Sequence, residues 1–67
     1  MDFTEIEKHF INLSINKVIN EGDLKNYKLI IRKYLIAIFK NESKEKQEKI
    51  IQEAQKRFYN TFKNDIL

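Results

Sequence analysis

Sixty-seven residues carry 13 basic and 10 acidic side chains, one histidine, one glycine, no proline and no cysteine, for a formal charge of +3. A chain of this length makes one domain at most and hides only about 60% of the surface its unfolded form exposes. No disulfide, thiolate metal centre or histidine cluster can staple it, and so mild a positive charge permits acidic partners without requiring nucleic acid.

Hydrophobic residues make up 42% of the chain against 34% charged, enough for a core and too many for disorder. With both strong breakers nearly absent, long uninterrupted helices are expected. Isoleucine, lysine and asparagine supply 29 of the 67 residues, and lysine outnumbers arginine 11 to 2. That usage fits a low-GC coding bias, which lowers the weight any single lysine can bear.

The first helix is predicted over about Phe3 to Asn20. Asp2 with Glu5, or Thr4 with Glu7, can form the capping box that starts it. Phe3, Ile6, Phe10 and Leu13 make one apolar stripe, and Ile11, Ile15, Val18 and Ile19 a second beside it. Together they exceed the apolar width a surface helix needs. The polar face is left to Glu5, His9, Asn12, Asn16 and Asn20. Such a helix is either central in its domain or covered by a second copy.

Gly22 stands where a C-terminal cap belongs, since glycine enters the left-handed region without strain. Asp23 follows and can cap the next helix. So short a link makes the first two helices antiparallel neighbours.

The second helix is predicted over about Leu24 to Lys40. Leu24, Tyr27, Ile31, Tyr34, Leu35, Ile38 and Phe39 mark its core face, with Ile30 at the edge. Lys25, Arg32, Lys33 and Lys40 lie opposite, and Leu29 and Ile36 are embedded among them. Residues 23–40 carry a net +4, whereas residues 2–21 carry −2 and residues 42–65 carry +1. The charge of the chain therefore resides on this helix.

Asn41 or Ser43 can cap a third helix, predicted over about Lys44 to Asn64. Its stripe is narrow: Ile50, Ile51, Ala54, Phe58 and Phe62. Glu42 with Lys46, Glu45 with Lys49 and Glu53 with Arg57 stand four apart, where a pair adds about 0.2–0.5 kcal/mol to a helix. The tail, Asp65 to Leu67, is expected to fray, although Ile66 and Leu67 could dock. The expected fold is an all-α three-helix bundle, residues 1–67 forming a single helical domain and, if the apolar excess is shared, a helical homodimer.

Nothing in this pattern resembles an enzyme. The lone histidine sits among asparagines with no nucleophile paired to it. The acids fall at helix starts or opposite lysines, where capping and the helix dipole account for them. One glycine cannot build a phosphate-cradling loop, and the acids do not follow a calcium-loop spacing. No catalytic, cofactor-binding or metal-binding residue is therefore assigned. The first ten residues lack the apolar core of a signal peptide. The uncharged run Tyr34 to Phe39 is far shorter than the ~20 residues of a membrane span. A cytoplasmic location without a membrane partner is the expectation.

Two binding readings remain. Lys25, Lys28, Arg32, Lys33 and Lys40 could follow phosphates along one helix, although one arginine is little for reading bases. The stronger reading is a small regulator, adaptor or inhibitor that binds a protein of acidic character. Leu29, Arg32, Lys33 and Ile36 would be its contact surface, and self-association would cover the excess on the first helix.

Overall fold

A computed structural model describes the backbone of residues 3–65 and the side chains of residues 4–63. Three helices follow one another: α1 (Phe3–Glu21), α2 (Tyr27–Ile38) and α3 (Lys44–Asp65). Each packs against the other two, giving the expected three-helix bundle, 34 × 22 × 17 Å overall. The suggested cap Asp2, the Phe3 side chain and the tail pair Ile66 and Leu67 lie outside the described residues.

Of the two apolar stripes on α1, the bundle buries the second. Ile11, Ile15 and Val18 are in the core, and Ile19, at the stripe's edge, is 40% exposed. From the first stripe Phe10 packs on the core from its rim, whereas Leu13 is 39% exposed. Ser14 completes the buried row, fully out of solvent. It is tolerated there because its hydroxyl donates to the Ile11 carbonyl at 2.9 Å, so no polar atom is stranded.

Gly22 ends α1 with φ at +66°, and its N–H donates to the Ile19 carbonyl at 3.1 Å. A β-carbon there would meet nothing within 4 Å, so glycine is favoured by backbone conformation and not by space.

The second helix is shorter than its pattern predicts at both ends. Asp23 does accept the Asn26 N–H at 3.3 Å, as a cap would. Its carboxylate also accepts from the Asn26 side chain, and the two hold residues 23–26 in a turn. The α-helical ladder begins only when the Ile30 N–H reaches the Asn26 carbonyl at 3.0 Å. At the far end Glu42 N–H bonds to the Phe39 carbonyl at 3.0 Å, tightening the chain into a turn before Lys40 can extend the helix. Lys25 and Lys40 thus belong to the flanking turns.

Ser43 is the cap of α3. Its Oγ accepts from the Lys46 N–H at 3.2 Å, and its carbonyl accepts the Gln47 N–H at 2.9 Å. Ile50, Ile51, Ala54 and Phe58 are buried, with Phe62 packed beside them. They meet Ile31 and Leu35 of α2, and Phe39 just past its end, in the shared core. Aromatic rings close both ends of that core. Phe10 stands edge-on to Phe39 at 5.4 Å, and Tyr27 stacks on Phe58 at 4.5 Å. Such pairs add about 0.5–1.5 kcal/mol beyond their buried area. Two glutamines of α3 also reach α2's backbone: Gln47 Nε2 donates to the Phe39 carbonyl at 2.6 Å and Gln55 Nε2 to that of Lys28 at 3.2 Å.

Candidate protein-docking face

The outward side of α2 follows from the inward one. Ile31 and Leu35 point into the core, so residues about half a turn away, Leu29, Lys33 and Ile36, must point out. Leu29 is 64% exposed, the most of any large apolar side chain described, and Ile36 is 41% exposed. Seven residues separate them, about 10.5 Å along the axis. They form a short aliphatic ridge on the helix that carries the net positive charge.

Cations surround that ridge. Lys33 lies toward α1, where it lines a groove with Lys17, Ile30, Tyr34 and Ala37. Lys28 lies toward α3, beside Gln52, Gln55 and Lys56. Lys25 and Lys40 occupy the turns at either end. Among the described residues none of these four lysines makes an ion pair within 4 Å.

Arg32 has a partner within the bundle. It turns toward α3 and meets the Glu48 carboxylate with both guanidinium nitrogens, Nη1 to Oε1 at 2.5 Å and Nη2 to Oε2 at 3.1 Å. The hydrogen bond, more than the charge, holds the Glu48 carboxyl below its ordinary range, and the same contact raises Arg32. The pair stays partly open to solvent, with the two side chains 41% and 45% exposed. Pattern reading missed the pairing because it depends on where α3 packs, sixteen residues downstream.

Among the described residues the four-apart pairs expected around α3 give no ion pair within 4 Å, and two ion pairs instead join helices. Besides Arg32 with Glu48, Lys46 reaches Glu7 of α1 at 3.9 Å; within α1, Lys17 pairs with Glu21 at 3.3 Å. Lys17 and Glu21 form the α1 rim of the groove, which is about 360 Å³ and floored by Ile30, Tyr34 and Ala37. This groove is what sequence reading missed. Spacing places Tyr34 on the core face and gives Ala37 no role, yet both line an opening beside Lys33. Ala37 is the available signal, a small residue where two helix flanks meet.

Elsewhere the surface offers less. A cleft between α1 and α3 is lined by Glu7, Glu45, Lys46, Lys49 and Glu53, charges of both signs. His9 is exposed on α1, with its ring edge-on to Phe10 at 5.7 Å. Among the described residues no three histidine, aspartate or glutamate side chains gather as a metal site, and no helix is long and apolar enough to cross a membrane. The chain matches no protein-family model, no curated protein and no solved structure. The functional reading therefore rests on the geometry of α2.

Proposed function

We propose that this chain is a small non-catalytic regulator or adaptor that works by docking on another protein through the outward face of α2. The observation that carries this reading is Leu29, held 64% in solvent on a helix whose other large aliphatics are better covered. A 67-residue bundle has little apolar area to spare, and removing a leucine from water yields about 1.5–3 kcal/mol. Leaving it outside is costly to solubility unless something covers it. Leu29, Lys33 and Ile36 form the contact, with Ile30, Tyr34 and Ala37 beside them; Arg32 supports the helix from the α3 side.

The test is a photo-cross-linking residue placed at position 29, 36 or 60, one at a time, in cells. Asn60 is an exposed α3 position away from this face. Protein adducts at 29 and 36 and not at 60 are expected. Equal yields at all three, or none at 29 and 36, would refute the docking face.

One observation favours a second reading. Four lysines with no ion pair among the described residues attract polyanions as readily as acidic protein. Nucleic-acid binding through Lys25, Lys28, Lys33 and Lys40 would weaken with a log–log salt slope of about −3 to −4, the value for four phosphate contacts. A gel shift absent at low salt removes that reading.

A further inference from the structure

Given the docking face proposed above, on which this inference rests, we infer that its occupant is an acidic amphipathic α-helix of a different protein and not a second copy of this chain. Three features of the face lead there.

The first is spacing. Leu29 and Ile36 are one heptad apart, so a helix laid nearly along α2 meets both with its own a- and d-type residues. An extended strand or a loop has no matching repeat.

The second is the ring of charge. Lys28 flanks the ridge toward α3 and Lys33 toward α1, with Lys25 and Lys40 at its ends. A partner helix with carboxylates on both sides of its apolar stripe would place them over these ammonium groups. Among the described residues no acid pairs with these lysines, and Glu21 of α1 and Glu48 of α3 are bound to Lys17 and Arg32.

The third is symmetry. Pairing two copies through this face about a two-fold axis would set eight lysines around one small apolar contact, with no acid on either outward face of α2. Like charges opposed at an interface suppress that association. The same ridge separates a protein helix from the other polyanions. A phosphate backbone would satisfy the lysines but leave Leu29 and Ile36 against solvent and sugar. Two aliphatic side chains are also too little apolar area to seat a helix in a bilayer surface.

The experiment uses the full chain and two fluorescent helical peptides about three heptads long. Both carry leucine at a and d; one has glutamate at e and g, and its twin has lysine there. Fluorescence anisotropy gives the affinity of each. The acidic peptide should bind at least about tenfold more tightly than its twin. Leu29→Ser and Ile36→Ser should each weaken it by about tenfold, while circular dichroism of both variants stays unchanged. Exchanging Lys28 and Lys33 together for glutamate should reverse the preference toward the basic twin. Equal affinity for the two peptides overturns the inference, as does indifference to Leu29→Ser. So does a chain that is dimeric by light scattering and becomes monomeric on Leu29→Ser. The cross-linking result separates two kinds of failure. Protein adducts at position 29 with no preference for the acidic peptide leave the docking face standing and remove only its acidic helical occupant. Absence of those adducts removes the docking face itself.

Discussion

Replacing Leu29 by glutamate distinguishes a free face from a covered one by its effect on stability alone. About a third of this side chain is withdrawn from water in the isolated bundle. Full burial of a leucine is worth about 1.5–3 kcal/mol, so the loss is roughly 0.5–1 kcal/mol. Two gains oppose it. Position 29 lies in the first turn of α2, which has no acid, and a carboxylate there interacts with the helix dipole by about 0.3–1 kcal/mol. It would also stand four residues before Lys33, in the favourable order for a helical ion pair worth about 0.2–0.5 kcal/mol. The expected net change is within about 0.5 kcal/mol. For a domain of this size that is a shift of under about 4 °C in Tm. If a second copy covered Leu29 in solution, the same change would bury an unpaired carboxylate and cost about 3 kcal/mol or more. Thermal unfolding followed by circular dichroism, at protein concentrations about thirtyfold apart, reads both the size of the shift and its concentration dependence. A large loss that grows at high concentration would refute the assignment of Leu29 to a free surface.

The core should respond in the opposite manner. Ile51→Ala, at a fully buried position, should cost about 2–5 kcal/mol, much of what so small a domain has, and leave the chain largely unfolded by circular dichroism at 25 °C. Ser43→Ala removes the acceptor for the Lys46 N–H and should cost about 0.5–2 kcal/mol in urea denaturation, with an unchanged m-value. Gly22→Ala meets no neighbour, so its cost is the left-handed backbone alone, about 1–2 kcal/mol, and Gly22→Asn should lose less in the same assay. Because Arg32 depresses the Glu48 carboxyl, this pair contributes above the unfolded carboxyl pKa and is lost as pH falls through the lower, folded one. An NMR titration should place the Glu48 midpoint below the ordinary glutamate range and return it there in Arg32→Gln; an identical midpoint in both proteins would refute the pairing.

How much of this was legible depends on which residue is asked. On α3 a single narrow stripe admits one inward face, and Ile50, Ile51, Ala54 and Phe58 are all buried as its spacing implies. On α1 two stripes compete, and periodicity alone cannot choose between them. The choice falls to packing, which takes Ile11, Ile15 and Val18 inward and leaves Leu13 and Ile19 partly outside. Ser14 could not be read as core because its hydroxyl looks polar until the turn behind it supplies an acceptor. The exposure of Leu29 and Ile36 was readable from α2 itself, since it follows from the position of Ile31 and Leu35. The fate of Arg32 was not, because an ion pair between helices depends on a register that no local pattern encodes.

The two glutamine contacts help to hold that register, beside the Arg32–Glu48 fork and the Tyr27–Phe58 stack. The aliphatic part of the interface alone would resist translation weakly, because sliding one rod past the other by a turn exchanges one aliphatic bump for another. Gln47 and Gln55 grip oxygens that belong to particular residues, Phe39 and Lys28, at two stations about 12 Å apart on α3. A slip of either rod would strip both grips at once, so they act as detents on an otherwise slippery joint. Through them, side chains of the neighbouring helix α3 help to fix the alignment of the outward ridge.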